Sequence, residues 1–165
     1  MYDNEYFSVA SEERDSISAE LQSELADIIG SIRRGYPALR ALMISGELAY
    51  QEERYDEAKE YFLRAADEFP RTYFAPVALM NAAVTSEKVE KIDRSIELYQ
   101  RVVDSYKDTF QGVPRALLNI GRLYESQNNM NAAVIAYEQL AADFDGSEWS
   151  KLARTRLIQI EIGMH

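Results

Sequence analysis

The chain has no cysteine and only one histidine, one tryptophan, four prolines and seven glycines in 165 residues. Without cysteine there is no disulfide framework, no thiolate metal site and no cysteine nucleophile. The lone histidine is the terminal His165, so no internal imidazole is available as a general base. Proline and glycine are too sparse for a turn-rich β-protein, whereas the plentiful Ala, Leu, Glu, Arg and Gln favour helix. No apolar run approaches the ~20 residues needed to span a bilayer. The opening "MYDNEYFSVASEERD" is acidic and has no signal-peptide apolar region. Basic clusters are missing as well, and a nucleic-acid surface requires them. The formal net charge is −10, and residues 1–30 alone hold eight acids (Asp3, Glu5, Glu12, Glu13, Asp15, Glu20, Glu24, Asp27) against Arg14.

What is present is a phrase written three times: "ALMISG" at 41–46, "ALMNAA" at 78–83 and "ALLNIG" at 116–121, spaced 37 and then 38 residues apart. Each copy continues as two segments whose apolar or small residues recur every three to four positions, the period of one helical face. The first copy places Leu42, Ser45, Gly46 and Ala49 on one segment and Ala58, Phe62, Ala65, Ala66 and Phe69 on the next, with Pro70 ending it. The second copy gives Leu79, Ala82 and Ala83, then Ser95, Tyr99, Val102, Val103 and Tyr106. The third gives Leu117, Ile120, Gly121 and Tyr124, then Ala133, Tyr137, Leu140, Ala141 and Phe144.

The step from opening alanine to the small residue of the second segment never changes: 41 to 58, 78 to 95, 116 to 133. Antiparallel helices approach closely only where side chains are small. Gly46, Ala83 and Gly121 open the first helix for that approach, and Ala58, Ser95 and Ala133 open the second. The aromatic four residues later (Phe62, Tyr99, Tyr137) fills the space beside the contact. The same helix–helix joint is thus expected three times.

This pattern resembles the tetratricopeptide repeat family over about residues 39–147. The first and third copies carry it best. Leu42, Leu79 and Leu117 stand where tryptophan is commonest, and the second copy has Ser86 in an aromatic slot and Lys107 in the proline slot. The resemblance implies an all-α, right-handed α-solenoid of antiparallel helix pairs with a C-terminal capping helix. The expected organisation is a flexible segment at 1–15, a leading helix of a partial repeat at 16–36, repeats at 37–72, 73–110 and 111–147, and a cap at 148–163. In the cap, Ile158 occupies the small-residue slot and should bar another close helix. The long segments between repeats, "FPRTYFAP" and "YKDTFQGVP", resemble those of bacterial cell-envelope members. They favour a periplasmic setting over a cytoplasmic one, with a membrane anchor upstream of residue 1.

No catalytic motif is present: no HExxH, no glycine-rich phosphate loop and no GxSxG. "EERYDEAKE" reads as solvated surface. "DFDGSE" at 143–148 lacks the acidic ladder of a calcium loop. No cofactor, no metal and no enzymatic activity are expected.

A solenoid binds through the wall made by the first helix of each pair. The repeat register puts Arg40, Met43, Glu47 and Tyr50 on the open face of the first repeat. Met80, Asn81 and Val84 follow in the second, and Arg115, Leu118, Asn119 and Arg122 in the third. Met43, Met80 and Leu118 share one slot. They form an apolar stripe that is either a groove for a protein or peptide partner or a buried seam. In the family's carboxylate clamp, Met43 and Glu47 would stand at Lys and Asn slots. Asn81 matches, Arg115 keeps the charge of a later Lys, and Asn119 replaces the final Arg, so binding of chaperone tails is disfavoured. The expected function is a non-catalytic protein-binding scaffold. The alternative is a homo-oligomeric module in which the groove or leading helix packs on another copy.

Overall fold

A computed structural model defines the backbone of residues 3–32 and 35–163 and the side chains of 16–32 and 35–163. His165 and the arginines of the "RRGYP" segment lie outside the described residues. The elements are α1 (Asp3–Ser31), α2 (Tyr36–Gln51), α3 (Tyr55–Glu68), α4 (Phe74–Lys88), α5 (Ile92–Tyr106), α6 (Val113–Ser126), α7 (Met130–Asp143) and α8 (Glu148–Gly163). All are helical, and the described residues contain no strand.

The pairs α2/α3, α4/α5 and α6/α7 turn through residues 52–54, 89–91 and 127–129. All three turns share one geometry. Glu53, Glu90 and Asn128 take left-handed φ of 60°, 56° and 59°. The next N–H then reaches back to a helix carbonyl: Arg54 to Ala49 at 2.8 Å, Lys91 to Ser86 at 2.9 Å and Asn129 to Tyr124 at 2.9 Å. This closing bond satisfies carbonyls that a helix end otherwise leaves free. Pro37 and Pro114 open α2 and α6 in the first turn, where the missing N–H costs nothing.

Within the pairs the small-residue joints are as expected from the spacing. A Cβ on Gly46 would lie 2.6 Å from the Phe62 ring, and one on Gly121 would collide with the Tyr137 ring. Ala83 is fully buried at the matching place, and the Ser95 hydroxyl donates to its carbonyl at 2.9 Å. Between pairs, α3 packs on α4, α5 on α6 and α7 on α8. One continuous apolar cluster runs from Leu39 to Ala153. Interactions one repeat apart latch the exterior: Tyr106 donates to the Pro70 carbonyl at 2.9 Å, and Lys107 pairs with Asp143 at 2.7 Å.

The two ends depart from expectation. The backbone of the leading helix is described from Asp3 to Ser31, against an expected span of 16–36. It packs on α2 through Leu25, and Gln22 donates to the Glu52 carboxylate at 3.0 Å. The last helix, α8, packs on α7 and α6 through Ser150 and Ala153. Its outward side is apolar, with Leu152, Ile158 and Ile162 exposed. Caps of repeat stacks are ordinarily polar on that side.

Candidate binding groove

The first helices of the three pairs enclose a groove of about 340 Å³ lined by Glu47, Tyr50, Gln51, Phe62, Asn81, Val84, Thr85 and Arg115. Five residues expected on the open face therefore meet here: Glu47 and Tyr50 from α2, Asn81 and Val84 from α4, and Arg115 from α6. Its floor is apolar, made by Val84, Tyr50 and the ring of Phe62. Glu47 and Arg115 are exposed at its edges with opposite charge. Neither forms an intramolecular ion pair among the described residues. Asn81 is half-buried between them, with an amide that both donates and accepts.

The remaining candidates are placed elsewhere. Met43 and Met80 are only 7% and 8% exposed and belong to the core cluster, while Leu118 is half-buried against it. Of the two readings open for the apolar stripe, a groove or a buried seam, the burial of Met43 and Met80 fits the seam. The physical reason is lateral: a side chain pointing along the wall of first helices meets core atoms of the stack before it meets solvent. Arg40 is exposed, its guanidinium 6.0 Å from the Tyr36 ring centroid. Arg122 is drawn to Glu87 at 2.6 Å. Asn119 is half-buried outside the groove lining.

Glu87 has a second partner. The Tyr99 hydroxyl donates to it at 2.9 Å. Burial, followed by the Glu87 charge, pushes the Tyr99 phenol well above its ordinary range. The third repeat repeats the arrangement with Tyr137 donating to Glu125, and burial again raises the phenol first.

Thr85 was missed in the sequence. It is buried, and its hydroxyl donates to the Asn81 carbonyl at 2.7 Å. The matching slots hold Leu48 and Leu123, so a polar residue in an otherwise leucine slot was the available signal. Phe62 was assigned to the joint alone. The same ring also closes the groove floor.

Among the described residues no group of three or more His, Cys, Asp or Glu is arranged to hold a metal ion. No described helix is long and apolar enough to cross a membrane.

The tetratricopeptide repeat profile matches residues 26–71 and 82–148. The chain belongs to that family. Over 131 residues it is 32% identical to a TPR repeat-containing protein of Treponema pallidum (strain Nichols), covering 79% of this chain. The chain spans 54%, about half, of that relative's length. Among solved structures, a tetratricopeptide repeat protein from Parabacteroides merdae superposes with a TM-score of 0.66 at 14% identity, covering 96% of this chain and 60% of that one. The N-terminal domain of the stress-induced protein STI-1 from C. elegans gives 0.63 at 18% identity, covering 75% and 94%. The first TPR domain of Spaghetti (RPAP3), solved bound to an HSP90 peptide, gives 0.59 at 17% identity, covering 81% and 98%. At these identities the likeness establishes the α-solenoid fold.

Proposed function

We propose that this chain is a non-catalytic scaffold that binds an extended protein segment in the groove between α2, α4 and α6. The carrying observation is the groove's composition: an apolar floor, a central amide and two unpaired charges of opposite sign at its edges. Asn81 has the donor and acceptor that a peptide backbone requires. Arg115 suits a carboxylate, in the planar two-pronged fashion of guanidinium, and Glu47 suits a cation. The ligand class is thus a segment bearing an acidic group and a basic group separated along its length. The lining supplies no nucleophile beside a base, since the Thr85 hydroxyl is committed to a backbone carbonyl. The Spaghetti domain, which shares the fold, was solved with a peptide bound, and that supports a peptide ligand here. The setting we propose is a bacterial cell envelope, on the long segments between repeats.

Selection of binders from a displayed library of random peptides tests this reading. Enriched sequences should carry both charges. They should lose binding to Val84→Glu and exchange their acidic preference for a basic one against Arg115→Glu. No enrichment, or enrichment indifferent to both substitutions, overturns the groove as a binding site.

A further inference from the structure

Four aromatic rings form an unbroken row across the N-terminal ends of the first helices. Tyr36 opens α2, Tyr73 is the N-cap residue of α4, Phe74 opens α4, and Phe110 lies in the segment leading to α6. The ring centroids step 6.2 Å from Tyr36 to Phe74, 6.2 Å from Phe74 to Tyr73 and 6.1 Å from Tyr73 to Phe110. Phe74 and Phe110 are half-buried against the core and anchor the row. Tyr36 and Tyr73 stand out from it, 58% and 70% exposed. These two share one register slot, five residues before Ala41 and Ala78, where the third repeat has Gln111. The tyrosine hydroxyls bonded among the described residues are those of Tyr99, Tyr106 and Tyr137, so those of Tyr36 and Tyr73 remain available. Space is reserved for the row as well: a Cβ on Gly112 would collide with the Phe110 ring that backs Tyr73. The charge around it is of one sign. The chain carries −10, yet residues 35–46, 69–86 and 109–124, which form this edge and the helices rising from it, hold four arginines and no acid. Arg40 lies 6.0 Å from the Tyr36 centroid, and Arg71 is exposed two residues before Tyr73. Neither pairs with an acid among the described residues. The positive ends of the α2, α4 and α6 dipoles add to that sign.

We infer that this row is a docking surface for a proline-rich protein segment, in polyproline II conformation, with prolines three residues apart and acidic residues beside them. Such a helix turns once every three residues and advances about 9 Å per turn, so prolines at i and i+3 face the same side. Tyr36 and Tyr73 each lie 6.2 Å from the Phe74 ring between them, and twice that distance bounds their separation. One polyproline turn is within that reach and sets a proline beside each exposed ring. Successive rings are inclined by 59°, 82° and 70°, which leaves clefts between ring edges. Puckered pyrrolidine rings suit such clefts, whereas a planar base stacks on a ring presented flat. The polyproline backbone keeps its carbonyls free of internal bonds, and the two tyrosine hydroxyls can donate to them. None of the four rings lines the groove between α2, α4 and α6. Outside that groove, a ligand already extended before binding has the advantage, because it loses little conformational entropy. Arg40 and Arg71 select acidic neighbours for the prolines over basic ones.

Fluorescence anisotropy with a short labelled peptide, holding prolines at i and i+3 between glutamates, tests this. The wild type should bind it saturably. A peptide of the same composition with its prolines moved to i and i+2 should bind about tenfold more weakly. Tyr36→Ala and Tyr73→Ala should each weaken binding by about tenfold. Both sites are solvent-exposed, and unchanged circular-dichroism melting confirms folding. Arg40→Glu combined with Arg71→Glu should turn the preference toward a lysine-flanked peptide. Val84→Glu, which obstructs the groove, should leave this binding unchanged; its loss would place the peptide in the groove and overturn the inference. No saturable binding, equal affinity for the respaced peptide, or indifference to both tyrosine variants overturns it as well. Anionic phospholipid vesicles bound through the same tyrosines, with no peptide bound, would assign the row to a membrane surface instead and overturn it too.

Discussion

The first and third helix pairs share one plan and differ at one polar contact. In both, a glycine on the first helix admits an aromatic ring from the second, Phe62 at Gly46 and Tyr137 at Gly121. Four residues after that glycine the first pair has Tyr50, which packs edge-on against Tyr55 with centroids 5.4 Å apart. The third has Glu125, which accepts the Tyr137 hydroxyl. The second pair follows the third, with Tyr99 on Glu87. Ring hydroxyl and carboxylate therefore occur together or not at all. A buried hydroxyl without a partner costs far more than a satisfied one gains. The joint accepts either an apolar pair or a fully bonded one, and the half-built combination is absent.

The largest effect expected is on what the two pairs share. Gly121→Leu forces a branched side chain into the Tyr137 ring and should destabilise by ~1–3 kcal/mol or more through overpacking. Gly46→Leu should behave alike against Phe62. Urea denaturation measures both. A variant with an unchanged midpoint would break the equivalence of the joints and the register behind it.

The polar difference is tested next. Glu125→Ala strands the Tyr137 hydroxyl and should cost about 1–3 kcal/mol. Glu125→Leu combined with Tyr137→Phe rebuilds the chemistry of the first pair and should recover most of that loss. The coupling is read by a double-mutant cycle. Strict additivity would mean that the hydroxyl and carboxylate act independently.

The same contacts predict an alkaline weakness in the second and third pairs. Burial raises the Tyr99 and Tyr137 phenols in the folded chain, and the neighbouring glutamates add to it. The folded state thus holds these protons more tightly than the unfolded chain, whose tyrosines ionise near ~10. Their contribution is complete below that pH and is lost as pH rises above it. The wild type should lose stability on alkaline titration more steeply than a Tyr99→Phe, Tyr137→Phe variant. Parallel curves would show that these two phenols do not carry the sensitivity.

The joints were legible because they are written as residue size at fixed spacing, and spacing is what a sequence records directly. Glu47, Asn81, Val84 and Arg115 were placed on the groove wall for the same reason. The same register put Met43 and Met80 there too, but it left open whether they are covered. A methionine on the wall reads identically whether it meets solvent or the rest of the stack, because periodicity describes one helix and burial depends on its neighbours. Residues 3–15 lack the apolar stripe that marks residues 17–32 in the sequence, so periodicity carried no helix signal there. The turns were the least legible. Asn128 suits a left-handed backbone, but Glu53 and Glu90 adopt it against their preference, held by the backbone bonds that close each hairpin.

That strain gives the smallest effect and the only gain. If the turn geometry is imposed by hairpin closure, relieving it should stabilise the first and second pairs and leave the third with nothing to recover. A left-handed L-residue costs ~1–2 kcal/mol relative to a relaxed one, and glycine returns part of that as greater freedom in the unfolded chain. Glu90→Gly should therefore gain about 0.5–1 kcal/mol, and Glu53→Gly somewhat less, because the Glu52–Arg54 contact at 2.7 Å already orders its loop. Asn128→Gly should change little, since asparagine tolerates this conformation well. Thermal melts of the three variants rank them directly. A gain at Asn128 equal to that at Glu90 would show that side-chain preference does not separate the turns, and that backbone entropy alone sets their stability.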